Sequence, residues 1–324
     1  VAHGDCVSIY SNYSSIALLN QLALKIDVDT LRGTLEGVPR LVALLQKHHA
    51  NATFLFSLGP DHTGRAIKRV FRPGFLNKVS RTSVVDHYGF KTLMYGTLLP
   101  GPQIGKRCAA MMRKVRDAGF EVGIHTYDHV KWQDNVIDQD AAWTTREMDR
   151  AANAFRDVFG ADSKTHGAAG WQMNIHALRL TQRMGFDYCS DGRGRFPFLP
   201  VYRGELIDCP QLPTTLPTLD ELIGLNGVDE SNVTAELLKL TEEFPEAGHV
   251  YTLHAELEGM KLATVFDGLL SGWSRQGYGL TSVADLFGSL DRKSLPRCEV
   301  LQGEIPGRSG TLLLQGNTFL GTSQ

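Results

Sequence analysis

Short apolar runs alternate with longer amphipathic stretches along most of this chain. Leu22 to Val28 and Ala52 to Leu58 read as buried strands. Between them Gly37 to His48, with Val38, Leu41, Leu44 and Leu45 on one face and Pro39 near its start, predicts a helix. A strand, a crossover helix and a second strand form the unit from which parallel sheets are built. The unit recurs. Helices predicted at Ile104 to Ala118, Ala141 to Phe159 and Asn174 to Met184 are each followed by a predicted strand, at Phe120 to Ile124, Lys164 to Ala168 and Phe186 to Ser190. Helix Val233 to Phe244 precedes strand Val250 to Leu253, and helix Ala263 to Arg275 precedes a short strand near Tyr278 to Leu280. Six or more such units favour a closed or nearly closed (β/α) barrel, in which reactive groups stand at the ends of several strands.

Two segments break the alternation. Residues 60–102 are too long for a plain connection and predict an insertion, a lid or membrane-docking element. Between Gly64 and Pro100 stand seven cations (Arg65, Lys68, Arg69, Arg72, Lys78, Arg81, Lys91) against one acid, Asp86, interleaved with residues such as Ile67, Phe71, Leu76 and Phe90. That mixture suits an anionic membrane surface or a groove for a lipid phosphate, and equally an amphipathic helix pair with a solvated basic face. After Pro296 the pattern predicts an extended tail, 296–324, and residues 1–20 have the irregular composition of a flexible leader. This leaves 21–295 as one domain. No run of about 18 apolar residues suggests a membrane-spanning helix.

Composition adds exclusions. A hydrophobic fraction of 42% with 21% charged residues is that of a globular chain. The net charge of −2, with the basic cluster mixed among aliphatic residues, argues against nucleic acid as a partner. Five scattered cysteines without a Cys-x-x-Cys pair predict reduced thiols and a cytoplasmic location.

Candidate chemistry lies at the predicted strand ends. Asp27 and Asp29 interrupt an apolar run, where two carboxylates are costly unless a metal or proton answers them. His125 and His129 directly follow a strand, and two imidazoles with one carboxylate make the three-ligand arrangement of catalytic zinc sites; a pair of surface loop histidines is the plain alternative. His254 ends another strand, where a lone histidine is more often a satisfied core group. Asp191 precedes glycine and equally suits a turn.

The set of Asp27, Asp29, His125, His129, Asp191 and His254 stands in the order used by the polysaccharide deacetylases of the NodB-homology group. Lys-Ile-Asp-Val-Asp-Thr-x-Arg-Gly-Thr (25 to 34), Gly-Pro-Asp (59 to 61), Gly-Arg (64 to 65), Ala-Ala-Gly-Trp (168 to 171), Ser-Asp-x-Arg-Gly (190 to 194), Leu-Pro-Thr (216 to 218) and Tyr-Thr-Leu-His-Ala-Glu (251 to 256) resemble one branch, the 4-deoxy-4-formamido-L-arabinose-phosphoundecaprenol deformylases. The resemblance spans residues 21 to 315. It implies a distorted (β/α) barrel and hydrolysis of a sugar formamide on undecaprenyl phosphate at the cytoplasmic face of the bacterial inner membrane, within the lipid A modification that confers polymyxin resistance. It also implies one divalent ion (zinc, cobalt, manganese or iron) on Asp29, His125 and His129, with Asp27 as general base and His254 as general acid. Trp171, Arg32 and Arg65 become candidate substrate contacts. The chain departs from the general group at Ala168 and Ala169, where an arginine orients the base, and from the close deformylases at Gln172, where an arginine follows the tryptophan. Arg193 is therefore expected to supply the positive charge near Asp27, with Asp191 orienting Arg193 or tuning His254. An N-deacetylase acting on another lipid-linked or cell-wall sugar remains an alternative, as does a silent sugar-lipid binding module. Retention of both proton carriers and all three ligands argues against the silent module.

Overall fold

The computed structural model describes residues 20–66 and 90–320. Eleven strands occur among them: β1 Gln21–Val28, β2 Thr53–Ser57, β3 Glu121–Thr126, β4 Thr165–His166, β5 Tyr188–Cys189, β6 Leu199–Tyr202, β7 Glu205–Leu206, β8 His249–His254, β9 Gly279–Thr281, β10 Arg297–Gly303 and β11 Leu312–Thr318. The larger sheet is parallel in the order β5-β4-β3-β2-β1-β8. β1 lies inside it and is buried from Leu22 to Val28, as a strand covered on both faces must be. β9 pairs with the first residues of β1, Gln21 to Ala23, and β2 joins β1 only from Lys25 onward.

The gap between β5 and β8 is filled by an extended segment. Cys189 N donates to Pro210 O at 2.8 Å and Leu212 N to Cys189 O at 2.8 Å, while Thr215 N donates to Val250 O at 2.9 Å. Pro210 and Pro213 lack the N–H groups a regular strand needs here, so the barrel closes through an irregular wall. Helices cover the outside, and the predicted boundaries hold to within a few residues for Val38–Lys47, Ile104–Asp117, Ala141–Phe159, Ile175–Arg183 and Ala263–Gln276. Asp140 accepts from Trp143 N at 2.8 Å to start the longest, and Gly160, left-handed at φ 72°, ends it. The helix predicted over 233–244 stops at Lys239; beyond it the Thr241 hydroxyl donates to Leu238 O at 3.0 Å.

A second sheet runs β11-β10-β6-β7. The segment expected as a tail beyond 295 is thus built into the molecule, with Cys298 and Leu312 fully buried. β11 also grips the chain after β5: Arg193 N donates to Leu313 O at 2.9 Å and Gln315 N to Arg193 O at 2.8 Å. Of the predicted insertion, Lys68, Arg69, Arg72, Lys78 and Arg81 lie outside the described residues, as does the predicted leader up to residue 19. The ends of the insertion are tied together, Asp61 N donating to Pro102 O at 2.9 Å and Gly64 N to Tyr95 O at 3.0 Å. Cys189 and Cys209, far apart in sequence, meet as buried thiols at 3.6 Å.

Candidate active site

Lys25, Asp27 and Asp29 recur at the two-residue period of β1, which aims them to one side. Lys25 is fully buried; its Nζ donates to Ser190 O at 3.1 Å and stands 3.5 Å from Asp27 Oδ2. Burial pushes the Lys25 pKa down, while the carboxylates of Asp27 and Asp191 oppose that shift. The other oxygen of Asp27, Oδ1, is buried and has no hydrogen-bond partner.

Asp29 stands just past the end of β1. Its backbone N–H, with the N–H and hydroxyl of Thr30, converges on Glu256 Oε1 at 3.1, 2.9 and 2.8 Å, so a residue beyond β8 holds the loop that carries Asp29. His125 comes from the end of β3, and His129 opens the helix His129–Asn135. Asp128 caps that helix through Lys131 N at 3.1 Å and contacts His62 Nδ1 at 2.6 Å. One ligand atom each from Asp29, His125 and His129 lies within 4.8 Å of the others.

The chemistry of this donor set fits a cation. His125 Nδ1 faces the carbonyl of Gly167 at 2.7 Å, which can only accept, so Nδ1 carries the hydrogen. Its Nε2 is therefore the nitrogen turned toward Asp29 Oδ1 at 3.2 Å, a buried oxygen without a hydrogen-bond partner. His129 Nε2 stands 3.4 Å from the other oxygen, Oδ2. Burial would raise the Asp29 carboxyl, yet His129, His125 and His254 outweigh it and hold the group well below the usual range. Once the rings give up their protons, the same three groups offer two imidazole nitrogens and a carboxylate to one cation.

His254 ends β8 in register with Asp27 on β1, which sets the imidazole and the carboxylate at the same level of adjoining strands. Burial opposes charge on its imidazole, but Asp29, Asp220, Asp27 and Glu258 prevail and raise its pKa. Glu258 Oε2 accepts from His254 N at 2.9 Å and fixes the strand end. Burial pushes Glu258 up to about 7, and burial with the charge of Asp29 pushes Glu256 up to about 8.

Other expectations are corrected. Arg193 does not reach Asp27: its Nη1 is held by both oxygens of Glu221 at 2.8 Å and its Nη2 by Leu216 O at 3.0 Å. The cation beside Asp27 is Lys25. Asp191 orients neither Arg193 nor His254, because His166 Nδ1 at 2.6 Å and Gln211 Nε2 at 3.0 Å occupy its two oxygens. Trp171 is not an open wall; it is 2% exposed, donates to Thr214 Oγ1 at 3.2 Å, and its ring is faced by Lys25, Arg193 and Arg308 at 5.3, 5.0 and 4.3 Å. Arg32 pairs with Glu36 at 3.1 Å, and Arg65 donates to Gly96 O at 2.9 Å beside an open groove of about 480 Å³. Sequence reasoning missed Lys25, Glu256, Glu258 and Arg308. A lysine two positions before Asp27 in a buried strand was the available signal for the first.

Asp27, Asp29, His125, His129 and His254 thus gather at the carboxyl ends of the parallel strands. The chain belongs to the polysaccharide deacetylase family, which residues 23–189 match. Among similar proteins, a Shewanella sediminis protein named "Probable 4-deoxy-4-formamido-L-arabinose-phosphoundecaprenol deformylase" is 39% identical over 301 residues, 92% of this chain and 96% of its own. A protein of the same name from Wigglesworthia glossinidia brevipalpis is 32% identical over 286 residues, covering 87% and 98%. A solved structure from Mycobacterium smegmatis, described as a polysaccharide deacetylase, shares the fold with a TM-score of 0.60 at 16% identity, covering 90% of this chain and 98% of its own.

Proposed function

We propose that this enzyme removes the formyl group from 4-deoxy-4-formamido-L-arabinose carried on undecaprenyl phosphate, releasing formate and the free 4-amine. The observation that carries the reading is the Asp29, His125 and His129 cluster with Asp27 and His254 on adjoining strands, in a chain similar over most of its length to proteins named for that reaction. A divalent ion on Asp29, His125 and His129 would acidify a water and polarise the formyl oxygen; zinc, cobalt, manganese and iron all suit two imidazoles and a carboxylate. Asp27 takes the proton of the attacking water on Oδ1, the oxygen without a hydrogen-bond partner, while Lys25 holds the charge of Oδ2. His254, whose surroundings favour its protonated form, gives a proton to the sugar nitrogen as the carbon–nitrogen bond breaks.

The described residues contain no helix long and apolar enough to cross a membrane. Leu98, 81% exposed, and Leu99 stand beside Arg65, and that pairing of apolar tip and cation supports contact with an anionic membrane surface at the cytoplasmic face. Mass spectrometry of formamido-arabinose and acetamido-arabinose phospholipids after incubation with zinc-loaded protein tests the reading. Loss of formyl alone is expected, with no loss by Asp27→Asn. Loss of acetyl alone would replace it with deacetylation.

A further inference from the structure

We infer that Arg308, on the loop joining β10 to β11, binds the phosphate of the substrate's phosphodiester; this rests on the reading that the substrate is a sugar phosphate. The hairpin that carries it is part of the barrel's reactive end. Gln172, beyond β4, bonds to Thr311 O, and Arg193, beyond β5, is paired on both sides of its peptide with β11. Gly307 seats the loop: at φ 80° it lies so close to the helix Leu219–Leu222 that a Cβ there would stand 2.3 Å from Glu221 O.

The seat sets two guanidinium groups against one carboxylate. Glu221 is already satisfied, with Arg193 Nη1 at 2.8 Å from both oxygens and Thr218 N at 3.1 Å from Oε2. Arg308 Nη1 stands only within 3.5 Å of Oε1. Two guanidinium groups therefore share one carboxylate, and the excess charge resides on Arg308, whose side chain retains 13% exposure. Its guanidinium carbon lies 4.3 Å from the centre of the Trp171 ring. Contact through the flat face fixes the group and leaves in-plane N–H donors for an acceptor, the fork geometry that suits a phosphate. The same ring is also faced by Lys25 at 5.3 Å, and Lys25 stands 3.5 Å from Asp27, so Trp171 links Arg308 to the neighbourhood of that carboxylate. A ligand that carries its amide and its phosphate on one pyranose ring would engage both sides of this stack.

The experiment compares two formamido-arabinose substrates, a short-chain prenyl phosphodiester and the neutral methyl glycoside, with the zinc-loaded enzyme and its Arg308→Ala and Arg308→Lys variants. The native preference for the phosphodiester, as a ratio of kcat/KM, is expected to fall about tenfold to a hundredfold in Arg308→Ala, chiefly through KM. Arg308→Lys, which keeps charge but not the fork, is expected to fall between. Turnover of the methyl glycoside reports that each variant is folded. An unchanged ratio, with both substrates hydrolysed, overturns the role of Arg308 and leaves the deformylase reading standing. Failure of the native enzyme on both substrates overturns that reading and this inference with it.

Discussion

An ammonium group sealed from water is tolerated only where other groups answer its charge, and Lys25 is answered by Asp27, by Ser190 O and at longer range by Asp191. Lys25→Met would leave the Asp27 carboxylate buried beside His125 without its cation. We expect kcat to fall tenfold or more with a smaller change in KM, and Lys25→Arg to recover part of it; steady-state kinetics on the formamide decides. Glu258 offers a stability measurement instead. Its carboxyl is raised by burial from 4.5 to about 7, so the folded protein holds a proton that the unfolded chain releases. Stability from this group is therefore full below about pH 4.5 and falls as pH rises to about 7. Glu258→Gln, which keeps an acceptor for His254 N but cannot ionise, should gain on the native protein across that window. The relative gain is on the order of 3 kcal/mol or less. Urea unfolding at pH 4.5 and 7.5 measures it, and a difference between the two proteins that does not change with pH would remove Glu258 as the cause.

Elements differ in how openly the chain announces them. Long helices were legible because periodicity and caps agree: Asp140 before Ala141 and Asn174 before Ile175 each bond a backbone N–H of the first turn. β1 to β3 were legible as apolar runs. β6, β7, β10 and β11 were not, since a small half-exposed sheet has neither a sustained run nor a turn signal strong enough to pair segments a hundred residues apart. The same divide holds at the site. Asp29, His125 and His129 come from short motifs whose strand-end position could be read, whereas Arg308 and Glu256 act through contacts that only the closed barrel makes. One such contact joins the π-helical turn Gly33–Gly37 to the chain after β8. A Cβ on Gly37 would stand 2.0 Å from Ala255 O, which backbone cannot yield without moving Glu256 away from Asp29 N. Gly37→Ala should cost about 1–3 kcal/mol of stability and lower kcat as well. Unfolding midpoints and kinetics are read together, and a variant as stable and active as the parent would show that this packing does not position Asp29.

At the scale of the whole molecule, the donor set joins parts of the chain that nothing local holds together. Asp29 extends β1, His125 ends β3, His129 starts the following helix, and the loop of Asp29 is pinned by Glu256 beyond β8. Unfolding scatters them. An ion that binds only the assembled set stabilises the native state by RT ln(1 + [ion]/Kd), about 2.7 kcal/mol at a hundredfold excess over Kd. For a chain of this size each kcal/mol moves Tm by roughly 1–2 °C, so saturating zinc should raise Tm by about 4 °C above the chelator-treated protein. The effect should grow as pH rises and be lost as pH is lowered, because His125 and His129 must shed protons to coordinate. His125→Ala and His129→Ala should each lose the zinc-dependent rise while the chelated variants still unfold cooperatively. That combination separates a ligand's role from a packing role, since loss of packing would lower Tm equally with and without zinc. Equal Tm for the native protein in chelator and in zinc would mean that the three side chains answer one another with protons alone, and the hydrolytic reading of the site would fall with the metal.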